Sequence, residues 1–380
     1  MAAQPAHLQP ADAALDTTID ALPDELLGLV LAATGSEAWP AAALTSRRWH
    51  RVLFDEAPIA WEWGLGSPLV LPNDEVEPDS KAFVQGKMGV LERVGARVHS
   101  VYIFEPESWL PGLLRVHGLE LAAAFALLNP AVLRSLHLEW EVPLRSAAAQ
   151  LLGSFTQLTS LSLRADEQGV GQPAQAAEAL RRLSSLERFS LRMAVVPAAI
   201  LEATCTLPKL RSLSLEAYEF LQSGDAAALL CLTALQELSD LTVGECGRRG
   251  GALQPPPTAL FPHLRRLNYS SPGWIEQGCL EVGGFILHSC LESLHFFECP
   301  AMTRLPGVLA DATSLRSLRL RDGGSGPFAL DDAAADLLLR LPHLTCLDLF
   351  PGKMPAGIAA RLALERPELE IRESENAPVI

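Results

Sequence analysis

The sequence predicts an α/β solenoid. Short parallel strands line a concave face, helices stack on the convex face, and a small helical unit precedes them. Three observations predict it. A six-residue pattern, L-x-x-L-x-L, recurs along most of the chain at nearly constant spacing. Alanine- and leucine-rich stretches alternate with it. One apolar stretch near the start, "LPDELLGLVL" (Leu22–Leu31), lies outside the repeating pattern.

The repeat comes first. "LRSLHL" begins at Leu133, "LTSLSL" at Leu158, "LERFSL" at Leu186 and "LRSLSL" at Leu210. "LSDLTV" begins at Leu238, "LRRLNY" at Leu264, "LESLHF" at Leu291, "LRSLRL" at Leu315 and "LTCLDL" at Leu344. Successive starts differ by 25, 28, 24, 28, 26, 27, 24 and 29 residues. That is the range of roughly 20–29 residues found in leucine-rich repeats. A degenerate copy, "VHSVYI", starts at Val98, and "LEI" (Leu369–Ile371) reads as a closing strand.

The pattern has a physical cause. The last two apolar residues of L-x-x-L-x-L are two apart, so both point inward from one strand while their neighbours point outward. One strand cannot bury its own inner face, but stacked strands share a continuous core. Between strands, "QAAEALRRLSS" (Gln175–Ser185) and "DDAAADLLLRL" (Asp331–Leu341) read as helices. Phe155, Leu183, Leu207, Leu235, Phe261 and Leu341 each precede a strand motif by three residues and belong to the predicted core. Such repeats often carry Asn or Cys eight residues after the first Leu. Here only Cys246 and Cys299 fit, so a continuous ladder of these side chains is not expected. "GRRGGALQPPPT" (Gly247–Thr258) reads as an irregular insertion.

Bulk properties narrow the function. The 380 residues are 49% hydrophobic, enough for a substantial core. A formal charge of −15 argues against a general nucleic-acid binder and against docking on anionic membranes. The first basic residue is Arg47, so neither a signal peptide nor a transit peptide is expected. The most apolar run, "LAAAFALL" (Leu121–Leu128), reads as a buried helix. Seven cysteines without a C-x-x-C suggest reduced, buried thiols of a cytoplasmic or nuclear protein.

The opening stretch reads as an amphipathic helix. Pro23 takes the first helical position, where its missing N–H costs nothing. Asp24 and Glu25 suit the N-terminal dipole. Leu26, Leu27, Val30 and Leu31 share one side. Thr34-Gly35 is a plausible stop, and "ALTSRRWHRVLF" (Ala43–Phe54) then carries Leu44, Trp49, Val52 and Leu53 among three arginines. So small a unit buries too little to stand comfortably alone.

"LPDELL" followed by "SRRWHRVL" resembles an F-box, a match covering about residues 19–54. Trp39-Pro40 departs from the family's usual Asp-Leu-type pair. With the repeats behind it, the chain resembles an F-box/leucine-rich-repeat protein. The implied fold is α/β, N-terminal F-box helices followed by a leucine-rich-repeat solenoid. The implied organisation is a disordered start (1–17), the F-box (18–54), a linker with an irregular first repeat (55–97), the repeats (98–372) and a flexible tail (373–380). The resemblance implies binding to a Skp-family adaptor, and through it to a cullin scaffold of an SCF-type ubiquitin ligase. The adaptor-facing residues would be Leu22, Pro23, Leu26, Leu27, Val30, Leu31, Leu44, Trp49 and Leu53.

No catalytic constellation is readable. "GGSGP" (Gly323–Pro327) follows a strand and reads as a turn. Cys290, His295 and Cys299 are close in sequence, but they fall before, on and after one strand, so packing rather than metal ligation is expected. No cofactor is expected. The substrate would be a protein bound by the outward-facing strand residues. These comprise Ser135, His137, Glu139; Ser160, Ser162, Arg164; Arg188, Ser190, Arg192; Ser212, Ser214, Glu216; Asp240, Thr242, Gly244; Arg266, Asn268, Ser270; Ser293, His295, Phe297; Ser317, Arg319, Arg321; Cys346, Asp348, Phe350. Six are arginine and four are acidic, a net of +2 on an acidic chain. The candidate substrate contacts are Arg188, Arg192, Arg266, His295, Phe297, Arg319, Arg321 and Phe350, a groove suited to an acidic or phosphorylated segment.

Overall fold

Twelve strands form one parallel sheet whose spatial order follows the chain order from β1 to β12. They are β1 (Ile59–Gly64), β2 (Val98–Phe104), β3 (Ser135–Trp140), β4 (Ser160–Ala165), β5 (Arg188–Val195) and β6 (Ser212–Glu219). Then come β7 (Asp240–Glu245), β8 (Arg266–Ser270), β9 (Ser293–Phe297), β10 (Ser317–Arg321), β11 (Cys346–Phe350) and β12 (Glu370–Glu373). This computed structural model describes residues 59–64, 88–89, 91–93, 95–104, 121–140, 146–165, 172–219, 231–245, 261–270, 290–297, 305, 307–321, 330–350 and 354–373. The F-box segment with its nine candidate contacts from Leu22 to Leu53, Cys246, Cys299, the insertion at Gly247–Thr258 and the turn at Gly323–Pro327 lie outside the described residues.

Register follows the repeat. Leu136, Leu161, Phe189, Leu213, Leu241 and Leu267 align across β3 to β8. Leu294, Leu318 and Leu347 continue the row across β9 to β11. All are buried, as are the six apolar residues that precede the motifs. Alternation thus places one face of every central strand in the core, as the spacing predicts.

The edge of the sheet where strands begin repeats one hydrogen-bond device. The carbonyl of Arg265 accepts from the amides of both Glu292 (2.8 Å) and Ser293 (2.9 Å). The carbonyls of Arg134, Thr159, Glu187, Arg211, Ser239, Glu292 and Arg316 do the same toward the next repeat. Thr159, Ser239 and Thr345 add a hydroxyl donated to the same carbonyls, at 3.1, 3.1 and 3.2 Å. The turn entering each strand is therefore satisfied by its neighbour.

Helices α1 (Leu121–Leu127), α2 (Ser146–Leu152), α3 (Pro173–Arg182), α4 (Ala198–Thr204), α5 (Asp332–Leu339) and α6 (Ala356–Glu365) cover the inner face. Pro173 opens α3 and Arg181–Arg182 close it, the charge order the dipole favours. Its buried side holds Ala176, Ala177, Ala179 and Leu180, small enough for close stacking. Asp331 caps α5 by accepting from the Ala334 amide at 2.9 Å. Two connectors contain described 3₁₀ turns, Cys231–Ala234 and Gly307–Asp311. Strands sit about 4.8 Å apart whereas packed helices need about 8–10 Å, so the stack curves with its strands inside.

Gly95 opens a 3₁₀ turn (Gly95–Arg97) pressed against α1. A Cβ there would overlap the Leu127 carbonyl oxygen. The Gly95 carbonyl accepts from the Asn129 amide at 3.3 Å. Thr204 is a buried polar side chain; its hydroxyl is satisfied by donating to the Ile200 carbonyl at 2.8 Å.

The thiols correct one expectation. Cys290, which is exposed, and Cys346, which is half-buried, are thiols outside any disulfide, but Cys205, at the end of α4, is disulfide-bonded. Folding can bring cysteines far apart in sequence within bonding reach. Neither an odd count nor the lack of C-x-x-C reports that proximity.

Candidate functional site: the concave strand face

The outward residues form rows across the sheet. One row runs Tyr102, His137, Ser162, Ser190, Ser214, Thr242, Asn268, His295, Arg319, Asp348 and Arg372. On one side of it run Ser160, Arg188, Ser212, Asp240, Arg266 and Ser293. On the other, Glu139, Arg164, Arg192, Glu216 and Gly244 are aligned. Where described, these side chains are half-buried or exposed, while the residues between them are buried except Leu163 and Ile371, which are half-buried; Gly244, with no side chain, is the buried exception in the rows.

Every acid among the outward positions faces an arginine one strand away. Arg164 pairs with Glu139, and Arg266 with Asp240. Arg192 lies 3.8 Å from Glu216, and Arg319 lies 3.8 Å from Asp348. The pairing explains the small net charge of the face. Reading the aligned repeats down their columns reveals all four pairs, because adjacent repeats become adjacent strands. Reading along the chain does not, since the partners are about one period apart.

The eight candidate substrate contacts fall in two places. Arg188 and Arg192 lie on β5. Arg266, His295, Phe297, Arg319, Arg321 and Phe350 lie on β8 to β11. Three strand spacings of about 4.8 Å separate β5 from β8. Within the second group the register sets Asn268, His295, Arg319 and Asp348 in line. Phe350 is paired with Arg321, and Phe297 with Ser270, in the backbone register.

His295 is the perturbed group there. Burial, reinforced by the positive charges of Arg319 and Arg321, brings its pKa down to about 4, so the imidazole is neutral near pH 7. Asn268 donates from Nδ2 to the Thr242 hydroxyl at 3.0 Å, joining β8 to β7.

A second cluster, not among the eight, lies on β2 to β4. Tyr102 stacks on His137 with ring centroids 4.2 Å apart. Its hydroxyl donates to Glu139 at 3.5 Å, and Arg164 holds the same carboxylate. Burial lowers the His137 pKa; Glu139 opposes that shift and Arg164 adds to it. Tyr102 belongs to the degenerate copy at Val98, whose consensus match is too weak to draw attention to its outward residues.

A cavity of about 310 Å³ opens on the strand-start edge, among His263, Arg265, Glu292, Arg316 and His343. Glu292 lies 3.4 Å from Arg265 and offsets its charge. Among the described residues no group of three or more His, Cys, Asp or Glu side chains could hold a metal ion. No described helix is long and apolar enough to cross a membrane.

No known family matches the chain, and no curated protein does. Solved structures similar to it are repeat proteins. An internalin of Listeria monocytogenes is 15% identical, with 77% of each chain covered and a TM-score of 0.42. A leucine-rich-repeat protein of Leptospira interrogans is 16% identical, covering 74% of this chain and 85% of that one, with a TM-score of 0.32. TLR13, in its complex with ssRNA13, is 14% identical over 73% of this chain and 40% of its own, with a TM-score of 0.41. The leucine-rich-repeat solenoid rests on the motif spacing, strand order and register above rather than on these likenesses.

Proposed function

We propose that this chain is the substrate-recognition subunit of an SCF-type cullin-RING ubiquitin ligase. The N-terminal segment binds a Skp-family adaptor, and the concave strand face binds the substrate protein. The observation that carries the proposal is a juxtaposition. "LPDELL" and "SRRWHRVL" resemble an F-box, and the first strand of a twelve-stranded repeat sheet begins at Ile59, directly after that segment. The apolar stretch Leu22–Leu31, which has no place in the repeat pattern, calls for a partner. Burying four or five large apolar groups contributes roughly 1.5–3 kcal/mol each before association costs.

In this reading the chain is not itself an enzyme and works in the cytoplasm or nucleus. It holds a substrate lysine near a conjugating enzyme carried by partner subunits, raising its effective concentration. The first prediction is that Leu26→Asp with Val30→Asp abolishes capture of a Skp-type adaptor by the full-length chain, with the circular dichroism of the repeats unchanged. If the double variant captures adaptor as well as the wild type does, the F-box reading fails. The chain would then be a leucine-rich-repeat interaction scaffold acting outside a ligase.

A further inference from the structure

Along the strand-start edge, arginines placed just after the first Leu of a motif are answered from the next repeat. Arg134 donates to the Gln157 carbonyl at 3.4 Å. Arg211 lies 3.2 Å from Glu237, and Arg265 lies 3.4 Å from Glu292. Arg316 is the next arginine in that column. The positions that Glu237 and Glu292 take in those pairs are held by His343 and Thr345 in the repeat after Arg316, and neither is acidic. The Thr345 hydroxyl is already donated to the Arg316 carbonyl at 3.2 Å. Among the described residues, the Arg316 guanidinium has no ion pair and no hydrogen bond.

Arg316 lines the cavity of about 310 Å³ together with His263, Arg265, Glu292, Ser314 and His343. Arg265, Glu292 and Arg316 enter consecutive strands. The Glu292 amide donates to the Arg265 carbonyl and the Arg316 amide to the Glu292 carbonyl, each at 2.8 Å. Two cations therefore flank one acid, with about 4.8 Å between neighbours. Arg265 engages Glu292, which leaves the charge of Arg316 facing the cavity. We propose that this cavity is a carboxylate site. Arg316 takes the acidic side chain of a partner protein, in an extended segment laid along the strand-start edge, and Ser314 and His343 supply further donors. The site lies outside the concave rows and stands whether or not the chain joins a ligase.

Charge and size select the ligand. With both imidazoles neutral, two arginines and one glutamate give the lining a net charge of +1. One carboxylate neutralises it, and a guanidinium binds that group through two parallel N–H donors. A phosphoryl group carries about −1.5 to −2, and its surplus would fall on Glu292. The volume is that of roughly ten waters at about 30 Å³ each, room for one acidic side chain. Four strand starts span about 14 Å, the length of about four residues of extended chain. Each neutral imidazole has one N–H to donate, and the Ser314 hydroxyl has another. His263, Arg265, Arg316 and His343 are exposed, so an incoming segment meets them without any rearrangement of the core.

The test uses the full-length chain and three fluorescent peptide pools with degenerate flanks, centred on glutamate, glutamine or phosphoserine. The expected result is binding of the glutamate pool at least tenfold tighter than the glutamine pool and no weaker than the phosphoserine pool. Arg316→Ala removes the preference for glutamate over glutamine, and so does Arg316→Gln, which keeps the length of the side chain. Arg134→Ala, elsewhere on the same edge, and Arg188→Ala, on the concave face, keep it. Glu292→Gln raises the lining charge to +2 and moves the preference toward phosphoserine. A benzophenone beside the central glutamate crosslinks to residues 262–265 or 314–316. Equal binding of the glutamate and glutamine pools by the wild type overturns the proposal, as does a glutamate preference retained by both Arg316 variants. Tighter binding of the phosphoserine pool by the wild type overturns the carboxylate assignment, and crosslinks confined to the concave strands overturn the edge location. Adaptor capture by Arg316→Ala stays at the wild-type level, so failure of the site and failure of the ligase reading are separate outcomes.

Discussion

His295 shows how a neighbour one repeat away sets the chemistry of a residue. On a lone strand its imidazole would titrate near 6.5. In the sheet it is half-buried beside Arg319, with Arg321 adding a second positive charge, and its pKa falls to about 4. The unfolded chain therefore takes up a proton near pH 6.5 that the folded chain refuses until about pH 4. The contribution to stability is present above pH 6.5 and is lost as pH falls through that window. His295→Gln removes this term. The expected outcome is that stability measured by urea unfolding falls less steeply from pH 6.5 to 4 in His295→Gln than in the wild type. Parallel profiles for the two proteins would show that the imidazole titrates freely in the native state.

At the scale of elements, the end of the solenoid depends on a side chain outside the repeat pattern. Arg366 follows α6 and turns back toward the turn before β11. Its guanidinium donates to the carbonyls of Leu341 (2.8 Å) and Leu344 (2.9 Å) and also holds Glu368. The Arg366 side chain is 13% exposed, so its bonds are sheltered from water. Arg366→Ala is expected to cost about 1–3 kcal/mol, the range for hydrogen bonds to a charged donor. Hydrogen exchange should quicken at β12 and α6 and stay unchanged at β3 to β5. Unchanged protection of β12 would mean the guanidinium is decorative. The strands themselves were legible in the sequence, because L-x-x-L-x-L fixes which residues face inward. The connectors were less so. The described parts of the connectors between β6 and β7 and between β9 and β10 include short 3₁₀ turns, and a turn of four or five residues leaves no periodicity to read. Arg366 left no signal either, since one arginine after a helix looks like any solvated charge. The four ion pairs were readable only once the repeats were aligned as neighbours.

For the whole molecule, linear stacking decides how damage spreads. Each described strand pairs with the strands before and after it, and α1 to α4 each touch the next, as do α5 and α6. Among the described strands, β2 and β11 are joined through the strands between them. Leu241 lies among these, on β7, 1% exposed and in register with Leu213 and Leu267. Leu241→Ala removes a buried side chain at a cost of about 2–5 kcal/mol. In a globular core that loss is shared by the whole domain. In a stack it weakens two interfaces and leaves the remote ones intact. The expected result is a thermal transition that broadens or splits, with exchange protection falling most at β6 to β8 and least at β2, β3 and β11. Leu349→Ala on β11, buried to the same degree but near the end, should loosen β10 to β12 and leave β2 to β7 as protected as before. If either substitution lowers protection equally in every strand, the solenoid unfolds as one unit. The concave face would then melt whole rather than by sectors.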